Sequence, residues 1–248
     1  MLKRFLQPFY TIYVLATFLA CLLAAFPIFV LLGIWNKVWA RRTIWNIVHY
    51  WAQGWLVLIG QPMIRKGPRP SKDRYVYVAN HISYMDTVLI YAAIPHYFRT
   101  LAKKEMASIP VFGFVYKQLA ILVDRSSAHS RSRSLRLMWR MLKHECNIAI
   151  FPEGTFNEGT EPLKDFYDGA FRLAINTQTP ILPMIFADTV HRWHYSAWWK
   201  LWPGRNRVFY LPPVSVADMD ISQVSELKEH VHRQMTEALM KLKAGNRP

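Results

Sequence analysis

The sequence predicts an α/β fold: a central, mostly parallel β-sheet flanked by helices, with an N-terminal membrane-associated two-helix segment. Three observations predict it. Short β-rich apolar runs alternate with helical patterns, as in layered α/β domains. Three of those runs, residues 75–79, 119–123 and 147–150, end directly in polar motifs, and ligand sites in open α/β sheets lie just outside the carboxyl ends of strands. Ahead of them, no residue from 5 to 36 is charged.

The uncharged run sets the N-terminal expectation. As a helix, its apolar part from residue 8 to 35 would extend roughly 42 Å, more than the ~30 Å of bilayer hydrocarbon. It lacks a small-residue cleavage site, so it reads as retained rather than as a signal peptide. Pro27 sits inside it and should kink or break the helix. A tilted span and a re-entrant helix both fit. Lys3 and Arg4 precede the run; Lys37, Arg41 and Arg42 come after it, and the heavier basic cluster places the rest of the chain in the cytoplasm. Residues 43–64 form a second helix, whose Trp45, Trp51 and Trp55 suit a headgroup boundary; a core helix of the soluble domain is the alternative. The turn-rich segment from Gly67 to Asp73 opens the second domain, giving domains of residues 1–66 and 67–248.

In that domain, 75–79 reads as the first strand, followed by Asn80 and His81. Ser83-x-x-Asp86 has the form of a capping box before an apolar helix. His81 and Asp86 meet only if the histidine lies in the loop and the aspartate in the first helical turn. A second strand, 98–102, leads into Lys103-Lys104-Glu105. Pro110-Val-Phe-Gly113 punctuates the approach to the strand at 119–123, which ends in Asp124-Arg125. Residues 129–145 form a helix whose Arg131, Arg133, Arg136, Arg140 and Lys143 make a basic surface. After the strand at 147–150 stands Phe151-Pro-Glu153-Gly154-Thr155. Next come a loop at 159–168 and a helix from Gly169 to about Thr177. The strand at 180–186 is entered through proline, so it is expected at an edge or barrel mouth. Residues 191–203 carry Trp193, Trp198, Trp199 and Trp202, fitting either an interfacial loop or a self-packed cluster. Short strands at 208–211 and 214–216 precede an amphipathic helix, 221–242, with Val224, Leu227, Val231 and Leu239 inward.

Composition narrows the partners. The 248 residues carry a net charge of +15, 52% hydrophobic residues, and ten Trp, fourteen Phe and twelve Tyr. The charge calls for a polyanionic partner, and the aromatic-rich apolar N-terminus favours an anionic membrane surface over nucleic acid. Cys21 and Cys146 have no metal-ligand or CxxC spacing and read as inert core thiols. No metal site is expected.

Together these motifs resemble the glycerolipid acyltransferase family, whose best-known members are lysophosphatidic acid acyltransferases. Asn80, His81 and Asp86 match its Asn-His-x4-Asp block. Lys104-Glu105-Met106 and Pro110-Val-Phe112-Gly113 resemble its next block. Asp124-Arg125 match part of the second, and Phe151 to Thr155 match the third, after which Phe156 replaces an arginine. Pro180 to Pro183 match the fourth. The resemblance implies transfer of a fatty acyl group from acyl-CoA or acyl carrier protein, as co-substrate and without a cofactor, to a lyso-lipid hydroxyl. It implies His81 as general base and Asp86 as its orienting carboxylate. Asn80, Lys104, Arg125, Glu153, Gly154 and Thr155 are then expected at the substrates, with Glu153 gripping a hydroxyl and Arg125 suited to a phosphate. The chemistry fits independently: a hydroxyl attacking a thioester needs a base near neutrality, and histidine is the natural one. Phe156, and Tyr167-Asp168 where the family has two lysines, leave room for another lyso-lipid, including an amino-acid lipid. A non-catalytic basic membrane-binding protein is the rival from a different class.

Overall fold

A computed structural model describes residues 2–35, 37–70, 74–124 and 126–245. Its strands are β1 (Met63–Lys66), β2 (Val76–Ala79), β3 (Phe98–Lys103), β4 (Ala120–Val123), β5 (Asn147–Ile150), β6 (Ile181–Phe186) and β7 (Asn206–Tyr210). They form a seven-stranded sheet in the order β1-β7-β6-β2-β5-β3-β4. Neighbours are parallel except β6 and β7. Every residue of β2, β5 and β6 is buried, as expected of unbroken apolar runs covered on both faces.

The connections explain the layers. From β2 the chain steps to β3 and β4 through α3 (Asp86–Ala93) and α4 (Phe112–Leu119), then returns to β5 and β6 through α5 (Ala128–His144) and α6 (Gly169–Thr177). Right-handed crossovers made in opposite directions put their helices on opposite faces. Accordingly α3 and α4 pack with α2 (Val38–Leu58), whereas α5 and α6 pack with each other and α6 with α7 (Val224–Gly245). The parallel strands therefore deliver residues 80, 104, 124 and 151 to one edge.

The N-terminus differs in part from expectation. Helix α1 (Leu2–Ile34) runs unbroken through Pro27. Packing on α4 holds it beyond the proline: Phe26 meets Phe114 edge-on at 5.8 Å, and Gly33 lies against the same ring. Phe5–Ile34 is long and apolar enough to cross a membrane. Helix α2 is a cover of the sheet in which Trp45 and Trp55 are buried, correcting their placement at a headgroup boundary. Trp45 stacks on His49 and meets Phe98 edge-on.

Further corrections have local causes. Residues 63 and 64, expected at the end of a helix, instead open β1, which pairs with β7, so the sheet starts before residue 67. Pro110-x-Phe-Gly introduces helix α4, and Gly113 is required there because a Cβ would stand 2.3 Å from the Ala107 carbonyl oxygen. Strand β6 is interior, between β7 and β2. Its Pro183 carbonyl accepts from Leu211 N–H at 3.0 Å, so the missing proline N–H falls on the side where β7 has already ended. Residues 214–216 form no strand, only a bridge from Val214 to Ile181. The tryptophan loop does two things: Leu201 is buried and the Trp199 carbonyl accepts from Thr11 Oγ1 at 2.8 Å, while the Trp198 and Trp199 rings stay exposed.

Candidate active site

The site is built at the end of β2. His81 lies in the loop and Asp86 is the first residue of α3. Asp86 is fully buried, and its Oδ2 accepts from Ile82 N–H at 2.7 Å, Ser83 N–H at 2.8 Å and His81 Nδ1 at 3.0 Å. The Ser-x-x-Asp signal thus works through the carboxylate reaching back, while Ser83 Oγ accepts Met85 N–H at 3.0 Å. An oxygen already accepting two backbone N–H groups takes a third donor from the ring. Nδ1 therefore carries the proton, and the Nε2 lone pair is left for substrate. The imidazole retains 14% exposure.

Two aromatic rings fix that imidazole. Phe151 stacks on it at 4.2 Å with 17° between planes, and Phe156 meets it edge-on at 4.4 Å. Tyr84 packs on Phe156 at 4.9 Å and on Trp193 at 5.4 Å. None of these four rings was among the expected site residues. The signal available in the sequence was position: Phe151 and Phe156 bracket the Pro-Glu-Gly-Thr segment.

The Glu153–Thr155 segment lies at the same end of the sheet as His81, and Glu153 is buried there. It is 2% exposed, and Oε1 accepts the His81 backbone N–H at 2.8 Å while Oε2 accepts that of Lys164 at 3.0 Å. Burial pushes its carboxyl above the usual value, and the Lys164 and His81 N–H groups offset this in part. Asn80 is likewise 1% exposed and closed on the end of β6: Nδ2 donates to the Phe186 carbonyl at 3.0 Å and Oδ1 accepts Phe186 N–H at 2.8 Å. Both side chains are thus bonded to backbone groups that frame the site. Gly154 sits at φ +73°, and its N–H donates to the Phe151 carbonyl at 3.1 Å. The Thr155 hydroxyl is exposed and accepts from Lys164 Nζ at 2.8 Å.

Lys104 is at the same edge, ion-paired to Asp124. The hydrogen bond from Lys104 holds the Asp124 carboxyl down to about 2, and the same bond raises the lysine. Arg125 lies outside the described residues. Cys146 is buried, which pushes its thiol up to about 12. Among the described residues, no three His, Cys, Asp or Glu side chains gather as a metal site.

Comparison with known proteins identifies the family and the fold. The sequence profile described as Acyltransferase matches residues 63–187. The 1-acyl-sn-glycerol-3-phosphate acyltransferase of Cocos nucifera is 31% identical over 181 residues, which are 71% of this chain and 57% of that protein. The protein of the same name from Salmonella typhimurium is 31% identical over 169 residues, 67% of each chain. The chain spans 62% of the relative from Limnanthes alba, so it covers under two thirds of both plant proteins. In fold it is similar to the crystal structure of the 1-acyl-sn-glycerophosphate acyltransferase of Thermotoga maritima. The TM-score is 0.78 at 20% identity, covering 98% of this chain and 97% of that one.

Proposed function

Because the chain belongs to the acyltransferase family, we propose that it transfers a fatty acyl group from a thioester to the free hydroxyl of lysophosphatidic acid, giving phosphatidic acid. His81 is the general base. The hydroxyl oxygen attacks the thioester carbonyl as His81 Nε2 takes its proton. The tetrahedral intermediate then collapses, the C–S bond breaks, and the imidazolium returns the proton to the leaving thiolate. Asp86 fixes the tautomer and stabilises the imidazolium. No acyl-enzyme is needed, and acyl-CoA or acyl carrier protein is the co-substrate. Helix α1 enters the membrane, and Lys37, Arg41 and Arg42 set the catalytic domain on its cytoplasmic, anionic face.

The observation that carries this reading is the 3.0 Å contact of His81 Nδ1 with a buried carboxylate, which leaves Nε2 at the edge where the parallel strands end. Purified protein in detergent, given acyl-CoA or acyl carrier protein with a panel of lyso-lipids, tests it. Formation of phosphatidic acid is expected. No transfer to any lyso-lipid would favour the non-catalytic membrane-binding reading.

A second acceptor reading has a specific basis. Phe156 occupies the position of the family's arginine and lies on His81 at 4.4 Å, and Asp168 takes the place of a cation. Transfer to an amino-acid lyso-lipid, with lysophosphatidic acid ignored, would establish it.

A further inference from the structure

The phosphate of the proposed acceptor needs a cation, and Phe156 has removed one. Several cations are candidates to compensate, and the structure separates them. Lys104 is ion-paired to Asp124. Arg172 and Lys228 both face Asp168, at 3.7 and 2.8 Å. Among the described residues, Lys103 makes no hydrogen bond to the Glu153–Thr155 loop. Lys164 differs from these: its Nζ bonds to a neutral hydroxyl, Thr155 Oγ1, at 2.8 Å, and among the described residues it makes no ion pair.

Lys164 is also held in place. Its N–H donates to Glu153 Oε2 at 3.0 Å and its carbonyl contacts His232 Nε2 at 3.2 Å. Leu163 and Phe166 on either side are buried. The Glu153 carboxylate that holds the Lys164 backbone also holds the His81 backbone. Cation and base are therefore fixed by the two oxygens of one side chain.

We propose that Lys164 and Thr155 form the subsite for the acceptor's phosphate monoester. An ammonium has three donors; one is used on Thr155, leaving two for phosphate oxygens. The Thr155 hydroxyl, accepting from Lys164, has its own proton to give to a third. This subsite rests on the acyl-transfer reading above, and it moves the family's headgroup cation from the position after Thr155 to the end of the following loop.

The test is steady-state kinetics of the full chain in detergent for wild type, Lys164→Met and Lys164→Arg, varying lysophosphatidic acid and acyl-CoA separately and recording melting temperatures. Loss of a charge-assisted hydrogen-bonding group is expected to raise the acceptor KM roughly 10- to 100-fold. The acyl-CoA KM and the melting temperature stay near wild type, and Lys164→Arg restores most of the acceptor affinity. An unchanged acceptor KM in Lys164→Met overturns the subsite. A rise in the acyl-CoA KM instead assigns the lysine to a donor phosphate and also overturns it. An equal fall for both variants with a lowered melting temperature makes Lys164 structural only. If wild type itself ignores lysophosphatidic acid, the acyl-transfer reading for that acceptor fails, and the subsite with it.

Discussion

The carboxylate of Glu153 accepts the backbone N–H of His81 at 2.8 Å, so the Pro-Glu-Gly-Thr segment is tied to the histidine loop. That bond crosses from the end of β5 to the end of β2, neighbours in the sheet. Burial pushes the Glu153 carboxyl above its usual value, and the pH dependence has a definite sign. A raised carboxyl binds more protons folded than unfolded, so its contribution to stability falls as pH rises from the usual carboxylate range through the folded value. Glu153→Gln removes the titration but sets an NH2 donor against one of the two backbone N–H groups that the carboxylate now accepts. It should melt below wild type in acid, and that deficit should shrink as pH rises, as read from paired melting curves; a difference independent of pH would contradict this.

Asn80 should behave as a strut. Asn80→Ala strands the buried N–H and carbonyl of Phe186, at a cost of about 1–3 kcal/mol for each group that finds no water. The melting temperature should drop clearly, with the acceptor KM unchanged well below it. A raised KM with unchanged melting would return Asn80 to the substrate.

Gly154 adopts φ +73°, and a Cβ would stand 2.7 Å from the Tyr167 ring. Gly154→Ala should cost about 1–2 kcal/mol from the left-handed backbone alone. The exposed Tyr167 ring can swing away, so adding Tyr167→Ala should recover little. Full recovery in the double variant would mean that the ring contact, not the backbone, sets the requirement.

Arg41 on α2 and Glu145 at the end of α5 join the two helix layers around the sheet by two hydrogen bonds, at 3.2 and 3.0 Å, and Tyr97 adds a third to Glu145 at 2.9 Å. Burial alone would raise the Glu145 carboxyl, but the Arg41 and Tyr97 hydrogen bonds outweigh it and hold it low. Its stabilisation is present above the usual carboxylate range and is lost as pH falls through the folded value. Arg41→Met should cost about 2–3 kcal/mol at neutral pH, somewhat less than a fully buried pair. That cost should shrink on acidification, which denaturant titration at several pH values measures.

How legible each element is in the sequence depends on what stabilises it. Strand β5 and the His81–Asp86 pairing can be read because a buried apolar run and a capping signal are both local. Strand β1 cannot: Met63-Ile-Arg-Lys66 is half charged, and only its pairing with β7 makes it a strand. Proline misleads twice, at Pro27, where packing on α4 carries the helix onward, and at Pro180, which enters a strand that lies inside the sheet. Motif position locates Asn80 and Glu153 at the site but does not reveal the backbone groups they bond. Their hydrogen bonds depend on β6 and β5 flanking β2, which no spacing in the chain announces.

The proposed chemistry rests on the His81 imidazole, aimed by Asp86, taking the proton of a lipid hydroxyl. The most direct measurement is the rate of acyl transfer to lysophosphatidic acid by purified His81→Ala beside wild type, with melting temperatures matched. The rate should fall on the order of 10²–10⁴-fold while the fold persists. A folded His81→Ala protein that transfers acyl groups at the wild-type rate would contradict it.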